Sequence, residues 1–195
     1  MEILIFAETD DKGNLKKDAY EIASYASEIS SENGGNVNAL CFNASNAESL
    51  SNYGVDKIIN SKNEELKNFD PSNYSKCITE VFNNEECNLL VLSSSSNSKH
   101  IGGILSVLTD SSYVTNVISK LTNGEKMTVV RNTFTNKAFE TVEIIKNKII
   151  LAISKNSFGL KEKPVKSEVV EINFNITESR NKVKSIDRAT NKVTI

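Results

Sequence analysis

Short apolar runs alternate with helical stripes over the first half of the chain. Residues 3–7 (ILIFA) form an apolar run of strand length, which is typical of a strand buried on both faces of a parallel sheet. Apolar residues then recur at spacings of three and four, at Leu15, Ala19, Ile22, Ala26 and Ile29. This stripe predicts a helix that Asn14 caps at its start and Gly34 ends.

The alternation continues through residue 108. Residues 37–42 and 55–59 are predicted strands, and a short helix between them ends at Gly54. Asp70 and Pro71 open a helix whose apolar stripe is Tyr74, Cys77, Ile78, Val81 and Phe82. A strand at 88–92 precedes a second stripe at Ile101, Ile104, Leu105 and Leu108. This order predicts an α/β fold, a three-layer Rossmann-like parallel sheet with helices on both faces.

The period of the pattern changes to two from about residue 114. Turn signals then arrive without helices between them, at Asn123-Gly124, at residues 135–137 and at Asn147-Lys148. Such a series is the signature of antiparallel β-hairpins, which we expect to extend the sheet in the C-terminal third.

The chain is long enough for one sizeable core. We therefore expect one α/β domain over residues 1–175, which includes the antiparallel extension (114–153). Residues 168–174 (EVVEINF) are a further candidate strand. Residues 176–195 are polar and charged, which indicates a linker or an exposed tail.

Composition and charge exclude several function classes. The 23 basic and 25 acidic residues give a net charge of −2, and no basic block marks a surface for a polyanion, so we expect no nucleic-acid partner. No apolar run approaches the ~20 residues that a bilayer requires, and the first residues lack the basic start of a signal peptide. Three cysteines without a CxxC pair argue against a disulfide framework. We expect a cytoplasmic protein without direct membrane insertion.

Two segments at predicted strand ends carry side chains suited to ligand binding. The serine-rich loop at 93–100 (SSSSNSKH) can cradle a phosphate with its hydroxyls and the following helix N-terminus, or be a plain connector with a serine cap. Glu8, Asp10 and Asp11 follow the first strand, where they can hold Mg²⁺ or form an ordinary acidic turn. Neither GxGxxG nor GxxxxGK[ST] occurs in the chain. The sequence favours the connector and the turn, and leaves a free-standing AMP- or ATP-binding module as the alternative function.

His100 is the only histidine, so a hydrolase has only this residue and the serines at 93–96 to use. Its place at a helix start, where an imidazolium opposes the helix dipole, favours a solvated residue over a general base. Cys41 lies in a predicted strand and Cys77 in a helical stripe, which indicates core packing for both. We therefore expect no catalytic residue, no metal site and no cofactor-binding residue in this chain.

Four strings, in matching order and spacing, resemble the N-terminal domain of the electron transfer flavoprotein alpha subunit. They are ILIFAETDDKGNLKKDAYEIASYA from residue 3, YGVDKII at 53–59, VRNTFTNKAFETVE at 130–143 and ILAISKNSFG at 150–159. The third is similar to the family's VRPVYAGKA-type ribbon, which it matches at Arg131, Lys137 and Ala138. It departs from the family at Phe134, where Tyr is common, and Ile104 stands where a basic residue is usual.

The resemblance implies a scaffold domain, without redox chemistry of its own, inside a heterodimeric electron carrier. In that family FAD accepts electrons from dehydrogenases and passes them to a quinone reductase of the respiratory chain, and the beta subunit is the partner. The FAD is held by a second alpha-subunit domain with strings such as SGGRG and SGAIQH, which this chain does not contain. The resemblance thus implies no FAD on this chain alone, with 176–195 leading toward that missing domain.

The resemblance also implies that the hairpin at 133–144 shapes the surface facing the partner subunit. Its candidate interface residues are Arg131, Phe134, Lys137 and Phe139, which combine charge with aromatic anchors as interfaces often do. The alternative is that the two phenylalanines cap the core, since cross-strand aromatics serve either purpose.

Overall fold

A computed structural model describes residues 1–179 and 183–185. The elements in these residues are β1 (Ile3–Phe6), α1 (Lys17–Asn33), β2 (Val37–Phe42), β3 (Lys57–Ser61), α2 (Pro71–Asn84), β4 (Leu89–Ser93), α3 (Ser96–Leu108), β5 (Ser112–Val117), β6 (Thr122–Asn123), β7 (Met127–Thr133), β8 (Ala138–Ile144), β9 (Ile149–Ile153) and β10 (Glu168–Glu171). Short 3₁₀-helices lie at Ala47–Asn52 and Glu64–Leu66. Most of the predicted tail at 176–195 lies outside the described residues. Within the described ranges, no helix is both long and apolar enough to cross a bilayer.

One sheet organises the fold. Its strands follow the order β10-β3-β2-β1-β4-β9-β5, and these neighbours pair in parallel. β1, β2, β4 and β9 are buried along their whole length. A strand covered on both faces needs apolar residues at nearly every position, which explains the apolar runs seen in the sequence.

Two cores lie on opposite faces of this sheet. In β1, Ile3 and Ile5 pack in a core that includes Ile22 of α1. Leu4 and Phe6 point the other way, into a second core with residues of α2 and α3. The predicted three-layer arrangement, with helices on both faces, is therefore confirmed.

The helix ends follow local signals in α2 and depart from them in α1. Asp70 accepts a hydrogen bond from the Ser72 N–H at 2.9 Å, and Pro71 is the first residue of α2, as predicted. The α1 helix begins at Lys17 rather than directly after Asn14. The predicted cap was wrong because the Asn14 N–H donates to the Asp10 carboxylate at 2.9 Å, which holds Asn14 in the preceding turn.

The antiparallel extension is smaller than the predicted range 114–153. Antiparallel pairing joins β7 to β5, β6 and β8. β9 instead lies between β4 and β5 and is parallel to both. The prediction was wrong for β9 because turn signals do not determine which strand a returning chain pairs with. The continuous apolar run of β9 suits the buried parallel sheet.

After β5 the chain runs back along α1. The Tyr25 Oη donates to the Ser119 carbonyl at 3.1 Å, and the Asn123 Nδ2 donates to the Asn33 Oδ1 at 3.1 Å. The first contact is in the middle of α1 and the second is at its last residue, so the segment after β5 runs along the helix. β6 therefore lies beside the end of α1. The β7–β8 hairpin is thereby attached to the layer of α1, with β8 paired to β7.

Candidate functional site

The carboxyl ends of β1 and β4 form the corner where an open α/β sheet usually binds ligands. In the sheet, β2 lies on one side of β1 and β4 lies on the other. The strands after β1 are added first on the β2 side and later on the β4 side, so the direction of winding reverses between β1 and β4. Glu8 follows β1, and Ser95 follows β4 directly before α3. The two segments that the sequence offered as separate ligand sites therefore lie together.

Glu8 is the centre of a buried polar cluster at this corner. Its side chain is 6% exposed. The Glu8 Oε1 accepts hydrogen bonds from the hydroxyls of Ser98 at 3.1 Å, Ser93 at 3.4 Å and Ser95. The Glu8 Oε2 accepts from the Asn97 Nδ2 at 3.2 Å and lies 2.7 Å from the Lys16 Nζ. The carboxylate is thus held by neutral donors and one ammonium group.

The serine-rich segment is mostly helix rather than loop. α3 starts at Ser96, and the Ser95 Oγ accepts the Ser98 N–H at 3.0 Å as its N-cap. The predicted serine cap is confirmed, whereas an open loop through residue 100 was wrong. Because the hydroxyls also donate to Glu8, they are already used inside the protein.

Asp10 forms the acidic turn that the sequence favoured. Its carboxylate accepts the N–H groups of Asn14 at 2.9 Å and Lys12 at 2.8 Å. The hydrogen bond from the Asn14 backbone lowers the pKa of Asp10. Nowhere in residues 1–179 and 183–185 do three or more His, Cys, Asp or Glu side chains gather as metal ligands.

A cavity of about 380 Å³ lies above this turn. Its lining mixes acidic and basic side chains, namely Asp10, Asp11, Lys12, Glu64 and Lys67. Three acidic groups face two basic ones in this set, so the cavity has no positive potential that would favour the phosphates of a nucleotide.

His100 and the serines do not assemble a hydrolase site. His100 is exposed on α3, where its ring centroid lies 6.4 Å from that of Phe69. Ser93 and Ser95 donate to Glu8. The cysteines are buried, as the sequence indicated for two of them, and burial raises the pKa of each thiol to about 12; they are Cys41, Cys77 and Cys87.

A second buried carboxylate, that of Glu21 on α1, was not predicted from the sequence. Its Oε1 accepts the N–H groups of Phe158 at 2.9 Å and Gly159 at 3.1 Å, and its Oε2 accepts the Asn156 N–H at 2.9 Å. Glu21 therefore fixes the turn after β9 against α1. The available signal was an acidic residue directly beside the apolar stripe, next to Ile22.

The β7–β8 hairpin exposes both of its phenylalanines. Phe134 is 76% exposed and Phe139 is 74% exposed, so the reading in which they cap the core was wrong. The Lys137 Nζ lies 5.9 Å from the centroid of the Phe134 ring. The Arg131 Nε is 3.8 Å from the Glu140 Oε2, across the ladder. The four candidate interface residues thus lie on one ribbon.

The tip of this hairpin has an unusual backbone. Phe134, Thr135 and Asn136 have φ angles of 49°, 52° and 61°, in the left-handed region that residues with a Cβ rarely adopt. The Lys137 N–H donates to the Phe134 carbonyl at 3.1 Å and closes the turn. The tip therefore presents Phe134 to solvent in a defined backbone conformation.

Comparison with known proteins identifies the family. No curated protein matches the chain closely enough to count as a relative. The family model described as the electron transfer flavoprotein domain matches residues 3–177, which include every helix and strand described above. The chain therefore belongs to the electron transfer flavoprotein family.

Proposed function

We propose that this chain is the N-terminal scaffold and partner-binding domain of an electron transfer flavoprotein alpha subunit. It pairs with a beta subunit in a cytoplasmic heterodimer that carries electrons from dehydrogenases, through a quinone reductase, to the respiratory chain. FAD is held by an alpha-subunit domain outside these residues. The observation that carries the proposal is the family match over residues 3–177. Alpha identity is supported by the alpha-type ribbon with Arg131 and Lys137.

The exposed hairpin supports a partner-binding role. Burying a Phe side chain at an interface removes about 150 Å² of apolar surface from water. This burial contributes about 4 kcal/mol to the binding free energy, before the entropy that the partners lose on association is subtracted. Phe134 and Phe139 are both three-quarters exposed, Lys137 lies beside the Phe134 ring, and Arg131 lies on the paired strand β7. Aromatic anchors with a charged rim are the arrangement that dominates measured interface energies.

The corner at Glu8 supports a scaffold role. The hydroxyls that would bind a phosphate there donate to Glu8 instead. A domain arranged in this way contributes shape and surface to a complex, while the redox group is held elsewhere.

The interface is tested by measuring the dissociation constant for the beta subunit with Phe134 and Phe139 replaced singly and together. Each of Phe134→Ser and Phe139→Ser should raise the Kd about 30-fold, the equivalent of about 2 kcal/mol per anchor. Val107→Ser is the matched control, because Val107 is 81% exposed on α3, away from the hairpin. Phe134→Tyr should keep the wild-type Kd, since it restores the residue common in the family. An unchanged Kd in the double serine variant would refute the hairpin interface.

The location of FAD is tested by visible absorption spectra. The chain should be colourless alone, and flavin should be retained when the beta subunit and the downstream alpha-subunit residues are both present. A stoichiometric flavin spectrum on these 195 residues alone would refute the scaffold reading.

A further inference from the structure

A cavity of about 570 Å³ lies at the amino ends of the strands, at the opposite end of β1 from Glu8. Glu2 and Asn36 directly precede β1 and β2, Asp56 precedes β3, and Glu168 is the first residue of β10. The other lining residues come from the sheet and from the end of α2; they are Asn38, Lys57, Asn84, Glu85 and Glu86. Small-molecule sites in proteins usually have volumes of about 300–1,000 Å³, so the cavity is large enough for a small ligand.

The charges around this cavity are strongly unbalanced. Five carboxylates and one ammonium group line it, whereas the whole chain has a net charge of −2. The Lys57 Nζ lies 2.7 Å from the Glu85 Oε1, so the ammonium group is already paired. In the part of the chain that the structure describes, no ion pair includes Glu86 or Glu168. Carboxylates around a concave surface concentrate negative potential there, which favours a cation.

The end of α2 adds to this negative potential. α2 ends at Asn84, and its last turn contains no basic residue. The carbonyl end of a helix is the negative end of its dipole, where a cation is favourable and a carboxylate is unfavourable. Glu85 and Glu86 place two carboxylates at this end, and Lys57 pairs with the first of them. A cationic ligand in the cavity would offset the remaining repulsion.

Asn38 provides a buried acceptor without a donor. Its side chain is 4% exposed on β2 and lines the cavity. The Asn38 Nδ2 lies 3.9 Å from the Cys87 Sγ, and sulfur is a weak acceptor. Among the residues that the structure describes, none donates a hydrogen bond to the Asn38 Oδ1. A buried amide oxygen without a hydrogen bond costs free energy, so a ligand that brings an N–H group into the cavity is favoured.

The positions of the carboxylates favour a ligand whose positive charges are spaced apart. Nowhere in the described ranges do three His, Cys, Asp or Glu side chains gather as metal ligands. The acidic residues come instead from the starts of three strands and from the end of α2. Ammonium groups separated by methylene carbons suit this spacing, and each ammonium group offers N–H donors. We propose that the cavity binds an aliphatic polyamine, with one ammonium group donating to the Asn38 Oδ1 and the others beside the carboxylates.

This proposal does not depend on the hairpin interface, because β2 and β3 lie at the opposite end of the sheet from β7. Isothermal titration calorimetry of the full chain with spermidine, a triamine, at low ionic strength should show one saturable site. Asn38→Leu keeps every charge and removes the amide, so it should raise the Kd about tenfold.

The carboxylates are tested in the same titration. Glu86→Gln and Glu168→Gln should each raise the Kd about threefold, as expected for partly exposed charges. Glu125→Gln is the matched control, because Glu125 is exposed in the turn between β6 and β7, at the far end of the sheet. This variant makes the same change in net charge and should leave the Kd unchanged.

Attraction to the net charge alone gives different results. Spermidine would then bind Asn38→Leu as tightly as the native chain, and Glu125→Gln would weaken binding as much as Glu168→Gln; either result overturns the proposal. Mg²⁺ at matched ionic strength should leave the spermidine Kd at its value in sodium chloride, and displacement of spermidine by Mg²⁺ overturns the assignment of a polyamine. A titration without saturable spermidine binding also overturns it.

Circular dichroism shows whether Asn38→Leu folds. If it does not, Asn38→Asp takes its place, because it puts a carboxylate of the same shape beside the ligand. Asn38→Asp should lower the spermidine Kd, and an unchanged or raised Kd overturns the proposal.

Discussion

Replacing Glu21 removes one acceptor group that serves three backbone donors. The Glu21 carboxylate is 6% exposed and accepts the N–H groups of Asn156, Phe158 and Gly159. These donors lie in the turn that follows the central strand β9. Glu21→Ala should therefore loosen the turn and lower the free energy of unfolding.

The size of the effect follows from the number of hydrogen bonds. A hydrogen bond to a charged group contributes about 1.5 kcal/mol or more. The turn at residues 154–159 is partly exposed, so water replaces part of what is lost. We expect Glu21→Ala to lower the free energy of unfolding by about 3 kcal/mol. Glu21→Gln, which keeps one acceptor oxygen, should lower it by about half as much.

Urea unfolding followed by circular dichroism measures this free energy, and amide hydrogen exchange locates the effect. Glu32→Ala is the matched control on the same helix: Glu32 is 52% exposed and pairs with Lys120 at 2.6 Å. An exposed ion pair contributes at most about 1 kcal/mol. Equal losses in the Glu21 and Glu32 variants, or unchanged exchange at Phe158 and Gly159, would refute the assignment of Glu21 as the anchor of the turn.

Three further predictions concern the core and the hairpin tip. Burial raises the pKa of the thiol to about 12 for each of Cys41, Cys77 and Cys87. The thiols should therefore resist alkylation at neutral pH in the folded protein and react rapidly in urea, which mass spectrometry would measure. Labelling of the folded chain at the rate of the unfolded chain would contradict this. Gly102→Ala places a Cβ 2.1 Å from the Tyr113 Cζ and should lower the free energy of unfolding by about 2 kcal/mol. Adding Tyr113→Leu should recover most of that loss, and full stability of the single variant would show that the Tyr113 ring moves freely. Thr135 has a φ of 52°, so Thr135→Gly should raise the free energy of unfolding by about 0.5 kcal/mol in urea, and a loss would show that Thr135 contributes contacts that outweigh its backbone strain.

Local signals were sufficient for elements whose ends and faces are encoded by nearby residues. α2 is the clearest case, because Asp70 and Pro71 define its start, and residues at helical spacing such as Ile78 define its buried face. β1 was equally predictable, since its apolar run matches the demand of a strand covered on both faces. In these elements the residues that determine the structure are close together in sequence.

The position of β9 was not predictable in the same way. β9 follows β8 along the chain but pairs with β4 and β5, which precede it by tens of residues. Its apolar run indicates burial, but no local pattern specifies its neighbours. Strand pairing depends on which edges remain free after the rest of the sheet has formed, and that information is distributed over the whole chain.

The cluster at Glu8 shows the same limit at the level of side chains. In the sequence, the acidic turn and the serine-rich loop are two separate candidate ligand sites. The two contact each other because β1 and β4 are neighbours, which joins Glu8 to Ser95 and Ser98 across 87 and 90 positions. The rule that carboxyl ends of parallel strands converge predicts the proximity once the strand order is known, and the sequence alone does not supply that order.

The distribution of polar and apolar side chains gives the strongest argument for a scaffold that acts through its surface. At the corner where an α/β domain usually leaves donors for a ligand, this chain supplies its own acceptor, Glu8. The hairpin places Val129 and Ile144 in the core, but toward its tip it exposes Phe134 and Phe139 on one ribbon. A single exposed aromatic residue needs no explanation, but two on one short ribbon, beside Lys137, form a surface that a partner can cover. The chain thus satisfies the polar groups of this corner internally, and the exposed hairpin is the surface to which we propose that a partner binds.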